Sequence, residues 1–383
     1  MTAALVRTLG DFDLSEELVQ DALLEAAEHW PREGIPEKPG AWLLTTARRK
    51  GLDRLRRQAR YRDKLAQLEG ASNLMRDDTV EGDDRLRLIF TCCHPALSRE
   101  AQVALTLRAV AGLTTVEIAR AFITSEATNA QRIERAKRKI VEANIPYRVP
   151  AERDMAERLD EVLAVLYLMF NEGYLATGGD RASRRDLAED AAWLAGLMVR
   201  LMPEEPEALG LLALMRLHLA RADTRFDGAG NLILLQDQDR GLWDQERIAS
   251  AMVLLQRAAG LRRTGPYQIQ AAIAACHAEA SSWRETDWQQ ILQLYDALFE
   301  LAPSPVVQLN RAIARRYVDG PEAALTDVEE LAAPLDNYYL FHATRAELLR
   351  DLAREPEARV ALIRALELTG NPAERALLRR RIG

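Results

Sequence analysis

The chain has 383 residues, 48% hydrophobic and 28% charged, with a net charge of −7. That is enough apolar material for real cores in two or three domains. The acidic balance excludes a protein that holds nucleic acid by bulk charge alone, because phosphate attraction needs a basic surface. Any such surface must be local. No segment approaches eighteen uninterrupted apolar residues, and MTAALVRTLGDFD shows no charged stretch followed by a long apolar run. Neither a membrane span nor a signal peptide is expected, and the chain reads as cytoplasmic. Ala and Leu dominate, aromatics are 6%, and Gly and Pro fall between periodic segments, which predicts an all-α protein. Cys92, Cys93 and Cys276 form no C-x-x-C or disulfide framework, in keeping with a reducing compartment. No cofactor, metal or catalytic constellation is read, since the histidines are scattered.

In chain order, DFDLSEELVQDALLEAAEHW at 11–30 sets an apolar stripe (Leu18, Val19, Ala22, Leu23, Ala26, Trp30) against an acidic face that includes Glu16, Glu17, Gln20 and Asp21. Such a face is solvated or docks on a basic partner helix. PREGIPEKP at 31–39 is a loop by composition. A helix is predicted over 40–65, with a dense cationic face that carries Arg48, Arg49, Arg56 and Arg57 behind Trp42, Thr45 and Thr46. Residues 69–84 lose periodicity and collect Asp and Glu, as an acidic linker does. Two helices follow over 85–111, broken near His94-Pro95.

TTVEIARAFITSEATNAQRIERAKRKIVEA at 114–143 reads as a helix-turn-helix. Thr114 and Glu117 have capping-box spacing. In its second helix Ala130, Ile133, Ala136 or Lys137, and Ile140 recur on an inward face. Thr128, Asn129, Gln131 and Arg132, then Arg135, Arg138 and Lys139, form the outward one. Short hydrogen-bonding side chains first and cations after is the order that base edges and then phosphates require. A plain helical hairpin with a solvated basic face would show the same pattern.

From 151 onward paired helices repeat with Pro or Gly at the joints, from Arg158–Tyr174 to Ala373–Arg380, at a tetratricopeptide-like (TPR-like) period. RFDGAGNLILLQDQDRGLWD at 225–244 interrupts them and is predicted to be an inserted β-hairpin.

Taken together, SEELVQDALLEAAEHW, AWLLTTARRKGLDRLRR and TTVEIARAFITSEATNAQRIERAKRKI resemble, in order and spacing, the bacterial RNA polymerase sigma factors of the extracytoplasmic-function (ECF) type. FNEGY at 170–174, LLQDQDRGLWD, GPYQIQAAIAACHA and PSPVVQLNRAIA resemble the TPR-like extension fused to one group of that family. The resemblance implies sigma region 2 over 1–65, an acidic linker over 66–84, sigma region 4 over 85–148 and a TPR-like regulatory domain over 149–383. The segment ahead of ALVRTLGD is shorter than is usual in the family, so the first helix is expected to be short.

By the same resemblance, Glu16, Glu17, Gln20 and Asp21 would dock on core RNA polymerase. Trp42, Thr45, Thr46, Arg48, Arg49, Arg56 and Arg57 would handle the −10 promoter element. Thr128, Asn129, Gln131 and Arg132 would read the −35 element, with Arg135, Arg138 and Lys139 on phosphate. Asn171, Glu172, Tyr174, Asp237, Asp239, Arg240, Trp243 and Asp244 form the candidate regulatory surface for an unidentified protein or small-molecule signal. Capping and internal ion pairs are the competing reading of those acids. A stand-alone helix-turn-helix regulator of duplex DNA is the rival for the whole chain.

Overall fold

The computed structural model describes residues 1–9, 12–51, 84–110, 112–121, 125–174 and 185–382. These residues are mostly helical and include no strand, as the composition requires. They divide into two compact units. The first is Met1–Thr115 with Ala127–Val162, and the second is Val116–Glu126 with Leu163–Gly383.

In the first unit, α1 (Thr2–Leu9), α2 (Phe12–Glu33) and α3 (residues 39–51) enclose a small core of Leu5, Leu14, Leu18, Ala22 and Ala47. Gly51 lets α3 close on α2, since a Cβ there would stand 2.9 Å from Leu18 Cδ1. The continuation of this helix to residue 65, with Arg56 and Arg57, and the acidic linker up to residue 83 lie outside the described residues. α4 (Asp84–Cys92) and α5 (Arg99–Ala109) are both well buried, and Ser98 caps α5 by accepting from Ala101 N. Cys92 and Cys93 are buried thiols, and burial pushes Cys93 up to about 12. They behave as small core residues.

α6 (Thr115–Ala121) belongs to the second unit except for Thr115. α7 (Glu126–Glu142) belongs to the first from Ala127 on, and buries Asn129, Ile133, Ala136, Lys137 and Ile140. The spacing 4, 3, 1, 3 is one helical face. It departs from the sequence expectation at one end: Ala130 is exposed and Asn129 is fully buried. A stripe beginning at 129 follows from the choice of Lys137 as well as Ala136 for the inside.

The second unit runs from the latter half of α8 (Glu152–Tyr174) through α9 (Arg185–Leu201), α10 (Pro206–Ala220), α11 (Gln245–Gly260), α12 (Pro266–Glu279), α13 (Trp288–Leu301) and α14 (Pro305–Val318) to α19 (Pro372–Ile382). Proline stands in the first turn of α10, α12 and α14, where its missing N–H costs nothing. α10 is apolar almost all round and accordingly buried, packed against α9, α11 and α12. Backbone meets backbone at two glycines. A Cβ on Gly173 would lie 2.4 Å from Ala188 N, and one on Gly210 would lie 2.7 Å from Gln268 N.

The expected β-hairpin at 225–244 is not formed. Among the described residues it is one antiparallel bridge, Phe226 with Leu232, followed by two short 3-10 turns at Leu235–Asp237 and Arg240–Leu242. The Asp227 carboxylate closes the turn, accepting from Ala229 N (2.9 Å) and Asn231 N (2.8 Å); on the far side of the bridge Ile233 N still donates to Arg225 O (2.8 Å), and the pairing ends where Ala222–Thr224 and Leu235–Asp237 take up 3-10 turns.

Candidate nucleic-acid interface

On α2 the acidic face divides. Glu17 and Gln20 are exposed and Asp21 is half-buried. Leu24, one turn further along the same face, is 65% exposed, and Leu23 is 49% exposed. Glu25 is held by Lys50 at 2.7 Å and Arg49 at 3.3 Å, and the Lys50 bond keeps its carboxyl below the usual range. Glu16 is already engaged. Its carboxylate meets Lys137 Nζ of α7 at 3.1 Å and Arg108 Nε of α5 at 3.3 Å. Asp13 takes the same Lys137 at 2.5 Å. Lys137 is nearly buried; burial pushes its pKa down, but the bonds and charges of Asp13 and Glu16 outweigh that and leave it above its ordinary value.

On α3, Trp42 packs edge-on against Trp30 at 5.6 Å, and the Thr45 hydroxyl is exposed while donating to Ala41 O. Thr46 is buried, which is a correction: it does not lie on the exposed face with Thr45 and Arg49. Arg49 is exposed and Arg48 half-buried.

On α7, Thr128, Gln131, Arg132, Arg135 and Lys139 line an open cleft of about 470 Å³ with Ser98 and Glu100 at the start of α5. Arg132 Nη1 donates to Asn129 Oδ1 at 3.3 Å, and Arg135 Nη2 to Gln131 Oε1 at 3.2 Å. Asn129 therefore corrects from an outward base reader to a buried residue that accepts from Arg132. Arg138 is exposed on the same helix.

In the second unit the suggested regulatory residues are mostly built into the fold. Arg240 is buried and donates to His277 O (2.8 Å), Ala280 O (2.9 Å) and Thr286 Oγ1 (3.0 Å), with its guanidinium over buried Trp243. Asp239 accepts from Gly241 N, and Asp244 caps α11 at Arg247 N and pairs with the Arg247 guanidinium. Glu172 is buried. Tyr174 lies under Arg225, whose guanidinium is 3.7 Å from its ring centroid and donates to its carbonyl. Asn171 and Asp237 are exposed. Of this group the structure leaves few side chains for a ligand, because each irregular segment between helices needs its polar groups satisfied.

Sequence reasoning missed Leu24, Lys137 and Arg108. Leu24 was an apolar residue inside a charged run. Lys137 signalled itself as a cation on an inward stripe, but periodicity does not reveal which acid it meets.

The chain matches the family models Sigma-70 region 2 over residues 2–61, Sigma-70, region 4 over 87–140, and a family of unknown function (DUF6596) over 158–259. It is 46% identical to an uncharacterized protein of Rhizobium meliloti over 98% of this chain and 91% of that one. It is 31% identical to the ECF RNA polymerase sigma factor SigK of Mycobacterium ulcerans over 35% of this chain and 74% of the relative. With SigK of Mycobacterium tuberculosis the identity is 33% over 36% and 75%. No helix among the described residues is long and apolar enough to cross a membrane.

Proposed function

Because the chain belongs to the ECF family of RNA polymerase sigma factors, and so binds core polymerase and directs promoter-specific initiation as an alternative sigma factor, we propose how its residues divide that work. Glu17, Gln20 and Asp21 dock on core polymerase around Leu24, whose exposed side chain supplies apolar area amid the charges. Trp42 and Thr45 receive a base extruded from the −10 stack, an extrusion that costs a few kcal/mol and that the pocket must return. Arg48 and Arg49, with Arg56 and Arg57, hold the melted strand by its backbone. Thr128, Gln131 and Arg132 read the −35 element, and Arg135, Arg138 and Lys139 grip phosphate. Residues 149–383 regulate this activity in cis. The protein acts in the cytoplasm and performs no chemistry of its own, the polymerase supplying the catalytic step.

The observation that carries this reading is the open face of α7, where Thr128, Gln131, Arg132, Arg135 and Lys139 line one cleft. The net charge of −7 then fits, because polymerase and not this chain provides most of the DNA affinity.

The test is in vitro transcription with core polymerase, comparing the full chain with a truncation after Val162. That end is chosen because Arg158 donates to Phe90 O and Glu161 pairs with Arg99 at 2.9 Å, so a shorter piece would lose contacts of the first unit. Promoter-dependent initiation by the full chain is expected. Its absence with every promoter tried would reject the reading, and equal activity of the truncation in cells would reject cis regulation.

A second measurement concerns Arg132→Ala. Loss of a base contact costs about 1–3 kcal/mol, so −35-dependent initiation should fall roughly ten- to a hundredfold while core binding is retained. Loss of core binding instead would mean that α7 is a docking surface.

A further inference from the structure

Gln131 and Arg135 stand one turn apart on the same face of α7, and Arg135 Nη2 donates to Gln131 Oε1 at 3.2 Å. A guanidinium carries donors only, so this contact fixes which end of the amide is which. The oxygen turns to Arg135, and the Nε2 amino group is directed away from it. Neither Nε2 nor the rest of the Arg135 guanidinium has a partner among the described residues. Both side chains are exposed and line the cleft between α7 and the start of α5.

The orientation of that amide matters to a base edge. A glutamine with both ends open suits adenine, since its oxygen accepts from N6 while its amino group donates to N7. Here the oxygen already takes an N–H, and a cationic donor stands beside it. An adenine N6 or cytosine N4 amino group brought to that edge meets donor against donor. Guanine presents acceptors alone, N7 and O6, and meets no such clash.

The rest of the cleft agrees. Of its lining, Arg132, Arg135 and Lys139 face one carboxylate, Glu100. Glu100 is turned to its own helix. Hydrogen bonds from its own backbone N–H and then from Ser98 keep its carboxyl below the usual range, with the charge of Arg132 adding a smaller pull. An exposed pair such as Gln131 with Arg135 is weak by itself. A phosphate gripped by Arg135 changes this, because it immobilises the guanidinium and the bond to Gln131 then costs little further ordering.

Resting on the reading that Gln131 meets the −35 element, we propose that Arg135 determines specificity as well as gripping phosphate. It is a positioning residue: by holding Gln131 Oε1 it sets the base under Gln131 to guanine rather than adenine.

The experiment selects DNA on the holoenzyme formed by the full chain and core polymerase, at low salt so that loss of one phosphate contact is tolerated. The probe is a duplex library randomised across the −35 and −10 segments, and the selected pools are sequenced. Gln131→Ala should erase the preference at one −35 base pair, and in the unaltered protein that preference should be for guanine. Arg135→Met should move the guanine-to-adenine ratio there toward adenine by about tenfold, within the range that one good base contact supplies. Lys139→Met removes a cation from the same cleft and should lower recovery without moving the ratio. A ratio that Arg135→Met leaves unchanged, or an adenine preference at that base pair in the unaltered protein, overturns the positioning role and leaves Gln131 a base reader. No change at any −35 base pair in Gln131→Ala rejects instead the reading of Gln131 itself, and the inference with it.

Discussion

Lys137→Met is expected to tighten binding of the free protein to core RNA polymerase. Lys137 joins α7, the helix proposed to read DNA, to Asp13 and Glu16 of α2, the helix proposed to dock on polymerase. Glu16 is occupied from two sides, since Arg108 also reaches it. A carboxylate so engaged must exchange partners before polymerase can use it. Severing a fully buried ion pair costs about 3–5 kcal/mol. Here Asp13 has 64% of its side chain exposed and Glu16 keeps Arg108, so solvent screening reduces the worth of the contact to about 1–2 kcal/mol. Releasing that amount corresponds to roughly five- to thirtyfold in apparent affinity. The same loss should lower the melting temperature of the first unit. Fluorescence anisotropy with labelled protein and core polymerase reads the affinity, with exposed Lys139→Met as the control for loss of charge on the same helix. Unchanged or weaker binding by a folded Lys137→Met would show that the contact does not compete with docking.

Acidification should destabilise the second unit from about pH 6.5 downward, an effect that begins well before the carboxylates that hold most acidic proteins together are protonated. His277 is pushed down to about 3 by burial first and then by the charges of Arg221 and Arg240. His218 is driven well below its ordinary value by burial and by Arg221 and Arg225. Both are therefore neutral in the folded chain, while in the unfolded chain each takes a proton near 6.5. The unfolded state binds more protons below that pH, so the stability is fully present above about 6.5 and is lost as pH falls toward the folded values. Each histidine removes about 1.4 kcal/mol per pH unit across that window. Glu207 and Glu374 work the other way, since burial raises their pKa and the folded chain protonates them first. His277→Phe isolates the effect. The ring stacks on Trp283 at 5.8 Å and meets Trp288 edge-on, and its Nδ1 has no partner, so phenylalanine keeps the packing and forfeits no bond at that atom. Denaturant melts at pH 7 and pH 5 should differ less in this variant, by about 2 kcal/mol. Equal pH dependence in the two proteins would place the titrating group elsewhere.

These predictions differ in how much of their basis a reader of the sequence could see. The inward stripe of α7 was legible except at its first turn, because Asn129 and Ala130 are both compatible with helix and only packing decides between them. The recurring joints of the second unit were legible because proline and glycine act on the chain locally. The segment 225–244 misled for the opposite reason. Asp227-Gly228 and the run Leu232 to Leu235 are hairpin signals, and the turn itself forms, but Ala222–Thr224 and Leu235–Asp237 coil into 3-10 turns and end the ladder after one bridge. For Asp239 and Asp244 the structure shows the caps and the internal ion pair that the sequence offered beside a regulatory surface, while Arg240 and Trp243 display their chemistry in the sequence and not their partners.

Sequence by itself determined the all-α class, the order of the helices, the family and the sign of each charged face. The class, the order and the charged faces follow from composition and from periods of three to four residues within single segments, and the family from the resemblance of three such segments taken in order. Only the tertiary structure decided which of those charges are spent. It placed Lys137 between Asp13 and Glu16, turned Asn129 inward, and used Arg240 to satisfy two carbonyls. The physical reason is that an ion pair or a hydrogen bond joins residues as far as 124 and 144 positions apart, and nothing in a local pattern encodes the partner.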